Sequence, residues 1–414
     1  MKKMLVVFLA FTFHVSFVNA EANLDKLSAF QVTGTSLDLP KIEQGGEKAD
    51  AIKNTLSKIN LPPGFKIDLY AIVPDAREMA VGPTTGTVFV GTRKNKVWSV
   101  SDRDKNRVAD EVAEFTPSLK FTVPNGVAFS PDGFLYVCEH NRILVFPAAE
   151  YFYEGPDTAA FVVVGQGDLI PVSEESYNHG ARVCKIGPDG KLYVSLGQPY
   201  NVSPQEKIAL YDETGIGGIL KMDTNGQNRE VYVLGARNPG GMDFNPTTGD
   251  LWWNDNQVDG MGDTIPPGET NIATEGGQHF GFPWFGGGQI RTNEYKDDTP
   301  PSGIVHPVME HDAHAADMGA VFYTGKMFPE AYQEGYFWAQ HGSWNRTDPV
   351  GARVMWVPTK DGQPVGDPKP FAEGWMTETG EYLGRPISVA QLKDGSLLIS
   401  DDTTGAIYRV SYGD

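Results

Sequence analysis

Two polar segments sit where a hydrophobic, strand-like stretch is about to begin. Tyr-Asn-His-Gly-Ala-Arg carries His179, and Gly-Ala-Arg-Asn-Pro carries Arg237 and Asn238 at the equivalent point of the next stretch. A histidine can accept a proton near neutral pH, and a guanidinium beside an amide suits a carboxylate ligand. These residue types predict a general base at His179 and a carboxylate-binding site at Arg237 and Asn238. A loop histidine bonded to backbone and an arginine in an ion pair between repeats are the structural alternatives.

Two further arginines occupy comparable positions. Arg346 ends the segment His-Gly-Ser-Trp-Asn-Arg, and Arg385 lies in Gly-Arg-Pro just before the last repeat. Each alone would be a surface arginine. If both converge with Arg237, the ligand carries several carboxylates or phosphates, because guanidinium groups bind such anions through paired hydrogen bonds.

An oxygen-rich segment follows, with Asp255, Asp259 and Asp263 among several asparagines. Hard oxygen ligands on flexible loops suit Ca²⁺, and a solvated acidic loop is an equally good interpretation. The run from Asp102 to Asp110 also spaces its acids as in a calcium loop. Arg107 replaces the expected glycine there, so a polar loop is favoured.

His311 and His314 form a third candidate metal site, together with the acid between them. Two imidazoles can bind a transition metal. No third histidine or cysteine follows at the usual spacing, which argues against zinc.

The elements that must position these residues are six repeats of strand, turn and strand. Pro-Asp-Gly and Thr-Thr-Gly turns separate alternating hydrophobic runs, and several strands per repeat of this length indicate a β-propeller. We therefore predict an all-β, six-bladed β-propeller over residues 61–414. The repeats are Arg77 to Val100, Pro124 to Phe146, Gly180 to Gly197, Gly241 to Asn256, Gly319 to Arg346 and Ile387 to Val410.

The regions outside the repeats have distinct predicted roles. Residues 21–60 read as an N-terminal extension with a weak helical stretch around 49–59. The lone strand from Phe65 to Ala71 is expected to pair with the last blade and close the ring. The longest spacing between repeats, Asp255 to Gly319, reads as a functional insertion.

Composition narrows the function classes. The 414 residues carry a net charge of −19, which disfavours binding to nucleic-acid phosphates. Lys2 and Lys3, an apolar run and Val18-Asn19-Ala20 form a signal-peptide pattern over residues 1–20, so we expect a secreted or periplasmic protein. No later stretch is apolar for long enough to span a membrane.

The two cysteines, Cys138 and Cys184, lie in strand-like segments and are interpreted as buried thiols rather than a disulfide. The sequence holds no Cys-x-x-Cys-His, the attachment motif of c-type haem. We therefore expect electrons from any oxidation to leave to a separate acceptor.

Several motifs in order resemble the glucose/sorbosone dehydrogenase family, and the sorbosone dehydrogenase branch more than soluble glucose dehydrogenase. They are Leu-Pro-Pro-Gly-Phe at 61–65, Tyr-Asn-His-Gly-Ala-Arg, Gly-Ala-Arg-Asn-Pro-Gly-Gly, His-Gly-Ser-Trp-Asn-Arg and Gly-Arg-Pro. The resemblance implies a six-bladed quinoprotein that uses pyrroloquinoline quinone (PQQ) and Ca²⁺.

The resemblance also implies roles for individual residues. His179 would be the catalytic base, and the cofactor would be held by Arg237, Asn238, Arg346, Arg385 and Asn125. Backbone carbonyls of Gln257 and Val258 would hold Ca²⁺, with Asp255 and Asp259 as metal support. Gly240 stands where soluble glucose dehydrogenase has a glutamine, and Pro124-Asn125-Gly126 replaces a Gln-Asn-Gly segment.

The expected function is an exported dehydrogenase that oxidises an aldose, a sorbosone-like sugar or a related alcohol by hydride transfer to the quinone. A metal-dependent lactonase on the same scaffold is one alternative. A propeller that only binds a protein or glycan is another.

Overall fold

The chain forms a ring of six β-sheets, each with four antiparallel strands and one of them with an added parallel strand. A computed structural model describes residues 39–413, so the predicted signal peptide lies outside the described residues. The six sheets follow one another along the chain, and each forms one blade. The prediction of an all-β, six-bladed β-propeller is confirmed.

The first three blades are built from strands β2 to β13. Blade 1 contains β2 (Met79–Val81), β3 (Val88–Val90), β4 (Trp98–Ser101) and β5 (Glu111–Glu114). Blade 2 contains β6 (Gly126–Phe129), β7 (Leu135–Cys138), β8 (Ile143–Phe146) and β9 (Phe161–Val164). Blade 3 contains β10 (Cys184–Ile186), β11 (Leu192–Leu196), β12 (Gly218–Met222) and β13 (Glu230–Leu234).

Blades 4 to 6 complete the ring. Blade 4 contains β14 (Pro239–Phe244), β15 (Leu251–Asp255), β16 (Gly268–Ala273) and β18 (Met309–His311). Blade 5 contains β19 (Asp317–Phe322), β20 (Tyr336–Gln340), β21 (Arg353–Val357) and β24 (Lys369–Glu373). Blade 6 contains β25 (Pro386–Gln391), β26 (Leu397–Asp401), β27 (Ala406–Tyr412) and, as its outer strand, β1 (Phe65–Ile72).

Strand β1 closes the ring as predicted. It pairs antiparallel with β27, from Phe65 opposite Tyr412 to Ile72 opposite Ala406. The first strand of the propeller thereby covers the outer edge of β27, an edge that would otherwise expose unpaired backbone groups.

The predicted insertion from Asp255 to Gly319 is largely part of the scaffold. It supplies β16 and β18, the third and fourth strands of blade 4, and β17 (Gln278–His279), which adds a fifth, parallel strand to blade 3. The prediction from the strand–turn–strand repeat did not include these strands, because long loops separate them.

Helices are short and lie outside the blades. Helix α1 (Gly46–Leu56) buries Ala49, Ile52 and Leu56 in the core shared by blades 5 and 6, close to the predicted helical stretch. The others are α2 (Ala149–Phe152), α3 (Ile208–Thr214), and 3-10 turns at Val172–Glu174, Gln205–Lys207 and Glu330–Tyr332, with a small hairpin of β22 (Thr359–Lys360) and β23 (Gln363–Pro364). Among residues 39–413, no helix combines the length and apolarity needed to cross a bilayer.

Blade geometry decides where loop residues meet. The first two strands of each blade are antiparallel, so residues before the first strand and residues after the second lie at the same end. Six blades arranged in a ring bring these positions together around one opening of the central channel. We therefore expect a functional site at that opening.

Phe65 is predicted to be a main contributor to ring closure. Its ring contacts Phe328, Tyr332, Phe371 and Tyr412 edge-on, with centroid separations of 4.7 to 5.0 Å. Because Phe65 is only half-buried, we expect Phe65→Ala to lower the free energy of unfolding by about 2 kcal/mol, measured by denaturant titration. Phe161→Ala is the matched control, since that ring is 61% exposed on the outer strand of blade 2. Equal effects of the two substitutions would contradict this role.

Candidate active site

A cavity of about 240 Å³ opens at this end of the channel, and all six blades contribute to its wall. A cavity that every blade touches lies on the axis of the ring. Six residues predicted from the sequence are among those that line it: Asn125, His179, Arg237, Asn238, Gln257 and Asp259. His314, a candidate metal ligand from the sequence, also lines it, together with residues that were not predicted, among them Arg77, Arg93, His341, Trp344 and Asn345.

His179 presents one ring nitrogen to the cavity. Its Nδ1 lies 2.6 Å from the backbone oxygen of Gln198, and a carbonyl only accepts, so Nδ1 carries the proton. The lone pair is then on Nε2, which is the tautomer a base requires. Burial, followed by the charge of Arg237, lowers the pKa of His179 to about 3. The ring is therefore neutral, and its Nε2 can accept a proton, at ordinary pH.

The backbone around His179 is strained and is fixed by hydrogen bonds from a buried arginine. His179 itself has φ of 53°, a left-handed conformation that costs a non-glycine residue energy. Arg182 is fully buried and donates to the carbonyl of His140 at 3.0 Å and to that of His179 at 3.2 Å. These bonds hold the loop in its strained shape.

Gly197 lets two predicted residues approach each other. A Cβ at this position would lie 2.6 Å from His179 Cβ and 2.6 Å from Asn238 Oδ1. No side chain fits in that space, so the glycine brings the base of blade 3 next to the amide of blade 4.

Asp255 positions the Arg237–Asn238 pair through its backbone. Its two carboxylate oxygens accept the amide protons of Arg237 at 2.9 Å and Asn238 at 2.6 Å. The side chain of Arg237 then donates to Asn201 and, through Nη2, to Asp259 Oδ2 at 3.0 Å. Arg237 is only 3% exposed, so its charge reaches the cavity from a fixed, largely desolvated position.

A second network crosses the junction between blades 6 and 1. Asp402 forms an ion pair with Arg77 and accepts from His341 Nε2 at 2.8 Å. Arg77 Nε also donates to Asn125 Oδ1 at 2.8 Å, and Asn125 donates to the backbone of Arg182. Although burial alone would raise it, the pKa of Asp402 lies well below its usual range, because His341 and Arg77 stabilise the carboxylate.

The oxygens around Gln257 fit a hard cation. Among residues 39–413 no hydrogen bond reaches the backbone oxygens of Gln257 or Val258, and Gln257 Oε1 is buried without a partner. Burial raises the pKa of Asp255 to about 6, and burial together with the charge of Asp255 raises the pKa of Glu269 to about 8. A divalent cation nearby would favour the ionised form of both carboxyl groups.

Arg346 and Arg385 do not line the cavity. Arg346 donates to the backbone oxygens of Asp348 and Ala313. Arg385 donates to the backbone of His341, Gly342 and Ser343 and covers the ring of Tyr382. The guanidinium groups that line the cavity with Arg237 are those of Arg77 and Arg93.

The two other candidate metal sites have different outcomes, and His311 and His314 have different surroundings. His311 is buried and bonds to Thr270 at 2.7 Å, whereas His314 lines the cavity and lies 2.8 Å from the Gly262 backbone oxygen. The carboxylates of Asp102, Asp104 and Asp110 do come together, within 4.8 Å of one another. They accept backbone amides of their own loop, and none lines the axial cavity.

The positions of three missed residues relative to the strands could have identified them from the sequence. Arg77 directly precedes the first strand pair of its blade, which is the position that revealed His179 and Arg237. Arg93 and His341 follow second strands, and the same geometric rule applied to those ends would have placed them at the channel opening.

Comparisons with known proteins support the family resemblance. The model of the Glucose / Sorbosone dehydrogenase family matches residues 168–341, the part of the chain that holds His179, Arg237, Asn238 and Gln257. The predicted family resemblance is confirmed. An uncharacterized protein of Borreliella burgdorferi is 29% identical over 372 residues, which cover 87% of this chain and 93% of that protein.

Solved structures extend the likeness of this glucose/sorbosone dehydrogenase-like chain to the whole propeller. A calcium structure of Trichoderma reesei Carbohydrate-Active Enzymes Family AA12 superposes with a TM-score of 0.71 at 19% identity, covering 86% of this chain and 97% of that one. The holo Pyranose Dehydrogenase PQQ domain from Coprinopsis cinerea gives 0.68 at 16% identity, over 91% and 99% of the two chains. The apo soluble aldose sugar dehydrogenase from Escherichia coli gives 0.59 at 17%, over 84% and 99%. These superpositions show a shared fold.

We expect Gly197→Ala to disable the site of this dehydrogenase-like propeller while the fold persists. The added methyl group must push His179 away from Asn238, and a misplacement of about 1 Å can cost on the order of 100-fold in rate. The measurement is sugar turnover by protein reconstituted with the expected PQQ and Ca²⁺. The circular dichroism spectrum of the variant is recorded in parallel to check its fold. Gly190→Ala is the control, because nothing lies within 4 Å of a Cβ there, although its positive φ adds some strain to the turn. Full turnover in Gly197→Ala would contradict the close packing.

His140 is predicted to make stability depend on pH. It lies directly beneath the His179 loop, 2.5 Å from the place of a Gly180 Cβ, and burial, followed by the charge of Arg182, lowers its pKa to about 4. The unfolded chain therefore binds this proton more tightly. The stability contribution is complete above about pH 6.5 and is lost as the pH falls toward 4.

Between pH 7 and pH 5 we expect wild type to lose about 1–2 kcal/mol more stability than His140→Asn, measured by denaturant titration at each pH. Other titrating groups cancel in this difference. Parallel pH curves for the two proteins would contradict a depressed pKa at His140.

Proposed function

We propose that this protein is an exported, PQQ-dependent and Ca²⁺-dependent dehydrogenase of a sugar, either an aldose, a sorbosone-like aldehyde sugar or a related alcohol. The observation that carries the proposal is the pairing, in one axial cavity, of a neutral histidine with a free Nε2 and three guanidinium groups. A proton acceptor beside a cationic anchor for an anionic cofactor is what such a reaction needs.

The comparisons support the general class. The family model whose description names glucose and sorbosone dehydrogenases matches the segment that holds the proposed base. A neighbour in fold is a PQQ domain of a pyranose dehydrogenase, and another is an aldose sugar dehydrogenase. Export rests on the signal-peptide pattern of residues 1–20.

The cavity residues fit the cofactor chemically. PQQ carries three carboxylates, and Arg77, Arg93 and Arg237 would neutralise them while Asn125 and Asn238 offer amide groups. The backbone oxygens of Gln257 and Val258 would hold Ca²⁺. Bound there, PQQ would supply a hydride acceptor for the substrate carbon, and Ca²⁺ would supply Lewis-acid polarisation of the quinone.

The protein's own part in the reaction is proton transfer. His179 Nε2 accepts the hydroxyl proton of the substrate as the C–H bond gives up its hydride. The Gln198 carbonyl then stabilises the resulting imidazolium through Nδ1–H. The anionic ligand would also offset the charge of Arg237, which is among the causes that depress the pKa of His179, and so make the histidine a better base.

A metal-dependent lactonase is the second candidate, favoured by the oxygen set around Gln257 alone. That reaction has no use for three guanidinium groups in the same cavity. A binding-only propeller has no use for a strained histidine fixed in one tautomer.

The deciding experiment uses His179→Ala. The purified protein is reconstituted with PQQ and Ca²⁺, supplied with a panel of aldoses and alcohols, and followed by dye reduction. We expect the variant to bind PQQ with wild-type affinity and to lose a factor of about 100 to 10,000 in turnover. The control is His306→Ala, which removes an exposed histidine that does not line the cavity.

The outcomes separate the candidates. Near-wild-type turnover of His179→Ala at saturating PQQ would remove the catalytic assignment. Lactone hydrolysis by wild type without PQQ would favour the lactonase, and neither activity would favour a binding protein.

A further inference from the structure

We propose that the substrate is an oligosaccharide or glycoside, and that Trp344 forms a second sugar-binding subsite beside the axial cavity. This inference rests on the proposed function, because it names the substrate class of the same site. It starts from the most exposed large hydrophobic side chain of the described residues.

Trp344 lies at the mouth of the cavity with 78% of its surface exposed. Within residues 39–413 its ring packs against no other aromatic ring, although it lines the cavity. An exposed indole at the entrance of a polar cavity offers a flat apolar face that is still available to a ligand.

A recess adjoins the cavity on the side of blades 4 and 5. The two spaces share four lining residues, Asp259, His314, Trp344 and Asn345, so they are continuous. The recess extends outward to Asn201 and Asp263. A ligand that reached His179 could therefore continue over Trp344 without leaving the protein surface.

The recess is lined with hydrogen-bonding groups. Asn345 fixes its amide by donating to Asp259 Oδ1 at 2.7 Å, and its Oδ1 has no partner although the atom is buried. Asp263 is held by the Thr347 amide at 3.1 Å. A buried acceptor without a donor costs free energy, which a ligand hydroxyl would relieve.

An aromatic face beside carboxylate and amide oxygens matches the chemistry of a sugar ring. The C–H face of a pyranose packs on an indole, and its hydroxyl groups donate to Asp and Asn oxygens. A monosaccharide oxidised beside His179 would leave the outer groups of the recess, at Asn201 and Asp263, unused. A second linked ring would occupy them, so the geometry points to a substrate of at least two sugar units.

The test compares sugars of increasing length on three variants. Wild type, Trp344→Ala, Trp344→Phe and the control Phe161→Ala are reconstituted with PQQ and Ca²⁺. The ratio of kcat/KM for maltose, cellobiose and their trisaccharides to that for glucose is measured. We expect Trp344→Ala to lower this ratio about tenfold, the equivalent of one lost aromatic contact. Trp344→Phe should keep most of it, and Phe161→Ala should leave it unchanged.

A binding measurement without turnover separates this inference from the proposed function. Calorimetric titration of the same trisaccharides is carried out on protein without PQQ. Binding that weakens about tenfold in Trp344→Ala supports the subsite even if no sugar is oxidised. Oxidation in which Trp344→Ala affects glucose and trisaccharides equally overturns the subsite and leaves the dehydrogenase intact. Absence of trisaccharide binding by wild type also overturns it.

Discussion

The pairing of β1 with β27 is the interaction on which the rest of the molecule depends. Phe65 to Ile72 lie along the last strand of blade 6, so the two ends of the propeller hold each other. The axial cavity needs this closure directly, because Arg77 of blade 1 forms its ion pair with Asp402 of blade 6. A ring that opened would separate that pair and with it the contact to His341. The electrostatics of the cavity therefore depend on closure of the ring of sheets.

The cavity concentrates positive charge inside an acidic protein of net charge −19. Two of its three guanidinium groups are already balanced, since Arg237 pairs with Asp259 and Arg77 with Asp402. Arg93 has no carboxylate partner among the described salt bridges and instead covers the ring of Tyr177. Balancing keeps the buried cations from destabilising the fold. Arg93 is then the group with most charge to offer an incoming anion.

The architecture could be predicted from the sequence because its signals are local. Alternating hydrophobic residues and glycine-containing turns report strands directly, and the unpaired strand at Phe65 implied its partner. His179, Arg237 and Asn238 were found because each precedes a first strand. The direction in which a side chain points could not be predicted from these local patterns. Arg385 precedes a first strand too, but Gly342 and Tyr382 shape a loop whose carbonyls take up its guanidinium, and no spacing in the sequence reports that.

A recurring contact explains why arginines at the same position differ in role. At four junctions within residues 39–413, the arginine that starts a blade bonds to the residues after the second strand of the preceding blade. The pairs are Arg77 with Asp402, Arg182 with the carbonyl of His140, Arg237 with Asn201, and Arg385 with the carbonyl of His341. The primary function of this position is thus to join blades. Arg77 and Arg237 join blades and also line the cavity, whereas Arg182 and Arg385 donate to backbone carbonyls and do not line it. A site built at these junctions has rigid supports, and the substrate contact that we propose for Trp344 comes from a loop residue outside them.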